Sequence, residues 1–241
     1  MALSHDFDGR LVVVTGGTGA LGEAVCDWLL RAGARVRIPA FSDAELERCE
    51  VATRDGVEVV RGVDLTDPDA VDDFYAGAQD LWASLQIAGG FAMGPIGGDD
   101  AVSQYDKMMA MNARTCFLCC RWAAAAIQTG RHGSEGGRIV NVSARGGIIP
   151  REGKNLVAYT ASKAAVAAIT EALAAELQPK RIWVNAVAPS ILDTPANRSA
   201  MPDANFDAWP KPAELAETIG FLASPSNAVT TGAIVPVYGV S

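Results

Sequence analysis

The sequence has little that would suit a membrane or a nucleic acid as a partner. No apolar stretch reaches the roughly 18 residues of a membrane span, and the polar segment Met1–Arg10 lacks the order of a secretory signal. With 20 basic and 28 acidic side chains, the net charge of −8 leaves no basic excess for a phosphate backbone. We therefore expect a cytoplasmic protein that binds neither membranes nor nucleic acids.

Histidine and cysteine are also scarce. The chain has two histidines, His5 and His132, and five cysteines. Cys116, Cys119 and Cys120 fall in one predicted helix, with no histidine or fourth cysteine at metal-ligand spacing. We expect no metal site and interpret the cysteines as small apolar residues of the core or of an interface.

What the 241 residues do contain is a regular alternation of short apolar runs and longer amphipathic segments, without a linker or a repeat. This alternation predicts an α/β fold, in which residues 1–241 form one doubly wound parallel sheet with helices on both faces. The predicted strands are 11–15, 35–39, 57–62, 85–88, 138–143, 181–186 and 233–237. The predicted helices are 20–32, 43–54, 67–83, 103–129, 156–178 and 213–223.

Residues 189–212 contain five prolines and little periodicity. Together with their position near the end of a strand, this composition predicts a mobile flap over a substrate pocket. Two explanations are open for the aromatic and sulfur side chains near this region, Phe91, Met93, Phe206 and Trp209. They either form an apolar wall of the pocket or pack the flap onto the core.

A glycine-rich turn, Thr15–Gly22, joins the first predicted strand to the first predicted helix. Such a turn lets the backbone approach a pyrophosphate, and the helix then directs its free N–H groups at the anion. Its placement between strand and helix makes it a strong indication of a dinucleotide site. The predicted contacts are Gly16, Thr18, Gly19, Ala20, Leu21 and Gly22.

The end of the second predicted strand indicates which dinucleotide is bound. An acid there would bind the ribose 2′-hydroxyl and favour NAD, but this sequence reads Pro-Ala-Phe-Ser over residues 39–42. Room for a 2′-phosphate, with Ser42 as a neutral donor, favours NADP(H) over NAD(H). Asp43 is the counter-argument, and Arg37 helps only if the strand turns it toward the site. Asp64, after the third strand, is placed either to meet the adenine or to cap a turn.

Four polar residues are candidates for the chemistry. Tyr159 and Lys163 lie four residues apart, on one face of a predicted helix. The ammonium, helped by an oxidised nicotinamide, would stabilise a tyrosinate and so lower a pKa that is otherwise about 10. Ser143 ends the fifth predicted strand, where its hydroxyl could bond the substrate oxygen. Asn112, a polar residue among apolar ones, could hold a water that links the lysine to solvent.

Together these segments resemble the short-chain dehydrogenase/reductases over essentially the whole chain. The resemblance implies a Rossmann-type sheet, a small carbonyl or alcohol substrate, and a homodimer or homotetramer paired through the two long helices. It also implies that Tyr159 is the general acid or base, with Lys163 as its tuner and ribose ligand, Ser143 as the ligand of the substrate oxygen and Asn112 as support for a relay. The further cofactor contacts that it implies are Asp64, Leu65, Ala88, Gly89, Gly90, Pro189, Ile191 and Thr194.

The sequence departs from that family at three places: Ala20 and Ser190 replace common glycines, and residues 86–89 read Gln-Ile-Ala-Gly instead of Asn-Asn-Ala-Gly. Segments 16–22, 88–92 and 192–209 are similar to the dihydropteridine reductases, a branch that generally lacks the serine. Reduction of a quinonoid pterin is therefore an alternative, against which Ser143 stands. A second alternative is a dinucleotide-binding regulator without chemistry, which the intact Ser–Tyr–Lys set opposes.

Overall fold

The computed structural model describes residues 6–240, so His5 and the first half of the segment Met1–Arg10 lie outside the described residues. Within 6–240, seven strands form one parallel sheet in the order β3-β2-β1-β4-β5-β6-β7. The strands are β1 Leu11–Thr15, β2 Arg35–Ala40, β3 Val57–Arg61, β4 Leu81–Gln86, β5 Gly137–Val142, β6 Ile182–Pro189 and β7 Ile234–Val237. The predicted doubly wound parallel sheet is confirmed.

Helices connect the strands along the chain. Their bounds are α1 Ala20–Arg31, α2 Asp43–Leu46, α3 Pro68–Ala76, α4 Ala101–Met108, α5 Thr115–Thr129, α6 Arg145–Ile148, α7 Val157–Leu177, α8 Pro195–Ala200 and α9 Pro212–Ala223. A π-helical segment, Met109–Arg114, joins α4 to α5, so the predicted helix 103–129 is one continuous rod with a widened middle. None of the helices within residues 6–240 is long and apolar enough to cross a membrane.

Two apolar cores lie on opposite faces of the sheet, because successive strand residues point to opposite sides. In β1, Val12 and Val14 belong to a core that α1 and α9 cover. Leu11 and Val13 belong to the other core, which α3, α5 and α7 cover. Cys116, Cys119 and Cys120 lie buried in this second core, and burial raises the pKa of the Cys119 thiol, as expected for inert core cysteines.

Three predicted elements had wrong bounds. Predicted helix 43–54 is only the single turn α2 followed by the 3-10 segment Glu50–Thr53, because Cys49 and Val51 turn into the first core. Predicted helix 67–83 ends at Ala76, with Gly77 as its C-cap, and β4 begins at Leu81 instead of Leu85. Pairing of β4 with β1 and β5 outweighs the helical preference of this segment.

Candidate active site

The strand order reverses between β1 and β4, and the loops that follow these two strands meet there. Gly16 has φ +69°, and a Cβ at this residue would lie 2.8 Å from the backbone nitrogen of Ala88. Glycine is therefore required both by the positive φ and by the close approach of the second loop. This crevice, beyond the carboxyl ends of the strands, is where open α/β sheets bind their ligands.

The glycine turn fits a pyrophosphate. Gly17 packs against β2, where a Cβ would lie 2.5 Å from Cγ2 of Ile38, and Gly22 packs directly on the backbone of Gly16. Gly19 is the N-cap of α1 and provides no side-chain cap, so the first N–H groups of the helix have no side-chain acceptor. The open side of this turn, where an anion would approach, is lined by the partly exposed residues Thr18, Gly19, Ala20 and Leu21.

The end of β2 holds a carboxylate that the sequence analysis did not consider. One carboxylate oxygen of Glu45, on α2, accepts bonds from the hydroxyl of Thr18 and the backbone N–H of Phe41, both at 3.3 Å. Ser42 is exposed beside it and makes no cap bond to α2. The signal was available: Glu45 is the third residue after the N-cap Ser42, a position from which glutamate reaches back to the start of its helix.

Arg37 cannot serve a 2′-phosphate. Its guanidinium is buried on the opposite side of β2, where it pairs with Glu58, donates to the carbonyl of Phe74 and lies over the Phe74 ring. The strand alternation that turns Ile38 toward the glycine turn turns Arg37 away from it.

Asp64 caps a turn. Its carboxylate accepts from the backbone N–H of Thr66 at 2.8 Å and from the Thr66 hydroxyl at 2.7 Å, and these bonds lower the pKa of the carboxyl. The capping role is thus observed, and a contact with adenine stays a prediction. The side chain of Leu65 packs against the second core, so a cofactor contact from this residue would use its backbone.

Asn112 holds the loop after β4. Its Oδ1 accepts from the N–H of Gly90 at 2.8 Å, while its Nδ2 donates to the carbonyl of Gly90 at 3.1 Å and to Oγ of Ser162, on α7, at 3.0 Å. A Cβ on Gly89 would lie 2.5 Å from Asn112 Oδ1 and 3.4 Å from Lys163 Nζ. The π-helical segment thus places Asn112 where it fixes this loop beside Lys163. The predicted water relay stays a prediction.

Tyr159 and Lys163 meet at the start of α7. Lys163 is 6% exposed, and its Nζ donates to the carbonyl of Val142 at 2.9 Å and lies 6.0 Å from the centre of the Tyr159 ring. Burial lowers the pKa of Lys163 to about 8 and raises the pKa of Tyr159 to about 12. The predicted lowering of the Tyr159 pKa by Lys163 is therefore not present in the protein alone.

Ser143 directly follows β5, as predicted, and its hydroxyl already has a partner. The residue is 1% exposed, and its hydroxyl donates to the backbone carbonyl of Lys163 at 2.8 Å. The bond ties the end of β5 to α7 and turns the hydroxyl toward main chain instead of toward the crevice. A bond between Ser143 and the substrate oxygen stays a prediction, and it requires the hydroxyl to turn away from the Lys163 carbonyl.

The segment after β6, which was predicted to be a mobile flap, contains the short helix α8. Thr194 caps α8, its hydroxyl accepting from the N–H of Asn197 at 3.2 Å, and Asp193 pairs with Arg198 through two bonds. Pro189 pairs in register with Val237 of β7. Ile191, two residues later, is 42% exposed.

The four side chains of the predicted apolar wall do not pack together as one group, and Met93 among them is exposed. The Phe91 ring meets the Tyr159 ring edge-on, with centroids 5.0 Å apart, and is 61% exposed. Phe206 and Trp209 pack on each other at 5.1 Å, and Trp209 is buried. Phe91 therefore lies beside Tyr159 at the crevice, whereas Trp209 is buried and packs against Phe206 within the flap.

Thr15 and Gln86, which were not predicted as site residues, connect the loops after β1 and β4. The Thr15 hydroxyl donates to the carbonyl of Leu85 and accepts from the N–H of Ala88, each at 3.2 Å. Gln86 fills its buried place with bonds to Thr15 and Ser84. Gln86, which stands where the family commonly has asparagine, thus adds a second bond between the ends of β1 and β4.

Comparison with known proteins agrees with this geometry. The family model described as short chain dehydrogenase matches residues 10–205. A galactitol 2-dehydrogenase from Rhizobium johnstonii is 33% identical over 95% of this chain and 94% of its own. A sorbitol dehydrogenase from Cereibacter sphaeroides is 33% identical over 77% of this chain and 72% of its own. The crystal structure of gox2181 superposes with a TM-score of 0.86 at 28% identity, covering 98% of this chain and 96% of its own.

Proposed function

Because the chain belongs to the short-chain dehydrogenases and is an oxidoreductase of that family acting on CH–OH or C=O groups, we propose that Tyr159 is its general acid or base. The observation that carries this proposal is the joint position of Tyr159, Lys163 and Gly89 beside the crevice formed by the loops after β1 and β4. A nicotinamide dinucleotide, NAD(P)(H), supplies or accepts the hydride when bound.

Each residue has a defined task in this proposal. Gly16 to Gly22 hold the pyrophosphate, and Lys163 binds the nicotinamide ribose. Tyr159 exchanges the proton of the substrate hydroxyl, and its partly buried ring faces Phe91, which excludes water. Pro189, Ile191 and Thr194 flank the nicotinamide amide.

The substrate is, in our proposal, a small secondary alcohol or its ketone. The galactitol and sorbitol dehydrogenases act, by their names, on polyols of six carbons, and both cover most of this chain. Phe91 and Ile191 make the rim of the crevice more apolar than a polyol alone would need. A panel of cyclic and open-chain secondary alcohols, next to hexitols, therefore tests the substrate class.

The Tyr159→Phe variant tests the catalytic assignment. We expect kcat to fall at least about 1,000-fold, because the variant loses its proton donor, while the dinucleotide Kd stays within about threefold. Tyr105→Phe is the matched control, since Tyr105 lies exposed on α4. Unchanged turnover in Tyr159→Phe would remove the catalytic proposal. Dinucleotide binding with no turnover of any substrate by the wild type would favour the silent regulator.

The preference for NADP(H) over NAD(H) remains part of the proposal. It is supported by the absence of an acid at residues 40–42 and by the exposed hydroxyl of Ser42. The Glu45 carboxylate is an argument against it, because a negative charge beside Thr18 repels a 2′-phosphate. Titration of the protein with NADPH and with NADH, followed by fluorescence, decides between them.

A second candidate is the reduction of a quinonoid dihydropteridine. The observation that favours it is the bond from the Ser143 hydroxyl to the backbone carbonyl of Lys163, which occupies the hydroxyl whose presence opposes this candidate. Turnover of a quinonoid pterin with NADH or NADPH tests it directly. Good turnover of ketones with none of the pterin would exclude this candidate.

We further propose that the protein forms a homodimer or homotetramer through α5 and α7. The outer face of α5 carries Phe117 with 54% exposure, and α7 presents the small residues Ala164, Ala165 and Ala168, which permit close helix approach. Light scattering coupled to size exclusion measures the mass, and Phe117→Glu is expected to yield a smaller species.

A further inference from the structure

A cavity of about 380 Å³ lies at the end of the sheet opposite the active site. It is formed where four neighbouring strands begin. Arg10 precedes β1, Trp82 and Arg138 are second residues of β4 and β5, and Arg181 and Trp183 stand at the start of β6. The loops that form the active-site crevice follow the carboxyl ends of these parallel strands, whereas the cavity lies at their amino ends. The two are therefore separate.

The cavity carries more positive than negative charge. Three arginines line it, against one carboxylate, Glu135. That carboxylate is already engaged, because it accepts from Arg10 at 3.2 Å and from His132 at 3.1 Å. Within residues 6–240, neither Arg138 nor Arg181 has an ion-pair partner.

Arg138 is the buried member of this group. It is 4% exposed, its Nη1 donates to the carbonyl of Gly137 at 2.9 Å, and its Nε has no partner among the described residues. The Nε of Arg10 is likewise buried without a partner. Burial, followed by repulsion from Arg181 and Arg10, lowers the pKa of the Arg138 guanidinium to about 10. A buried cation with unused donors is stabilised by an anion.

Trp82 keeps two of the arginines in place. The guanidinium carbons of Arg10 and Arg138 lie 4.9 Å and 4.8 Å from the centre of its ring. The Trp82 indole is itself fixed, because its Nε1 donates to the carbonyl of Ala223 at 2.9 Å. The donors are therefore held in position before any ligand arrives, which lowers the entropic cost of binding.

We propose that this cavity, lined by Arg10, Arg138 and Arg181, binds the oxyanion group of a small molecule, a phosphate or a carboxylate. Planar guanidinium groups recognise both of these groups through paired hydrogen bonds. The volume is within the range of small-molecule sites. Trp183, half-buried in the wall, offers an apolar surface to the remainder of the ligand.

Thermal unfolding tests the site with inorganic phosphate and, separately, acetate as probes, each replacing chloride at constant ionic strength. We expect at least one of the two anions to raise the Tm of the wild type saturably, by about 3 °C or more. Arg138→Gln and Arg181→Gln should each lose most of this rise. Arg181 is exposed, so Arg181→Gln keeps the test valid if Arg138→Gln folds poorly.

Arg35→Gln is the matched control. Arg35 begins β2 at the same end of the sheet, is exposed and does not line the cavity, so its variant should respond as the wild type does. The anion that produces the saturable rise identifies the class of ligand. A rise that is the same in all four proteins is a general salt effect and overturns the proposal. The absence of a saturable rise with either anion overturns it too.

Discussion

The Glu45 carboxylate makes the choice of dinucleotide a question about one side chain. Its position between Thr18 and Phe41 puts a negative charge at the end of β2. We expect Glu45→Gln to improve the ratio of kcat/KM for NADPH to kcat/KM for NADH by about tenfold, because the amide keeps the shape of the side chain without repelling a 2′-phosphate. Steady-state kinetics with both cofactors measure the ratio.

Glu47→Gln is the control for this experiment. Glu47 lies two residues further along the chain and is exposed, and its substitution removes the same charge from the same segment. If both variants shift the ratio equally, the effect comes from net charge and not from the position of Glu45.

Ser143 provides a second test on a single residue. Since its hydroxyl donates to the carbonyl of Lys163, we expect Ser143→Ala to lower the free energy of unfolding by about 1 kcal/mol. The same variant should change kcat by less than about threefold. A group that bonds the reacting oxygen would instead cost about 100-fold or more. Such a loss would restore the role that the family resemblance implies, and denaturant unfolding with steady-state kinetics separates the two effects.

The loop after β4 is the element that joins the crevice at the glycine turn to the proposed catalytic pair, Tyr159 and Lys163. A Cβ on Gly89 would meet Asn112 Oδ1 at 2.5 Å, so we expect Gly89→Ala to displace the loop, lowering kcat at least about tenfold. Gly97→Ala is the matched control, because nothing lies within 4 Å of a Cβ there. Equal kcat values for the two variants would contradict the close approach of this loop to Asn112.

These elements also show what the sequence could and could not predict. The apolar run of β1 and the glycine-rich turn after it carry their structure locally, and the bounds of β1 and the start of α1 at Ala20 were predicted correctly. The start of β4 at Leu81 was not, since residues 78–83 have no local mark of a strand and take that form only between β1 and β5. Chain position placed Ser143 at the end of β5, but only packing against α7 decides where its hydroxyl points.

At the scale of the molecule, the parallel sheet separates two kinds of chemistry. At the carboxyl ends of the strands, the loops expose glycine backbone next to the buried amine of Lys163. At the amino ends, Arg10 and Arg138 lie against the Trp82 ring. The chain has a net charge of −8, so this cluster of arginines is not a consequence of an overall basic composition. Each end of the sheet therefore has its own electrostatic character.

The buried amine also couples folding to pH. Lys163 has a pKa of about 8 in the fold and 10.5 ordinarily, so the unfolded chain binds its proton more tightly. Its destabilising effect is complete below pH 8 and disappears as the pH rises toward 10.5. We expect the free energy of unfolding of the wild type, minus that of Lys163→Met, to rise by up to about 3 kcal/mol over this window. Urea unfolding of both proteins at several pH values measures the difference, in which groups common to both cancel.

Lys154→Met, at an exposed lysine just before α7, is the control and should give a difference that does not change with pH. A flat profile for Lys163→Met as well would mean that the Lys163 ammonium is solvated in the fold, and the catalytic pair would lose its low-dielectric setting.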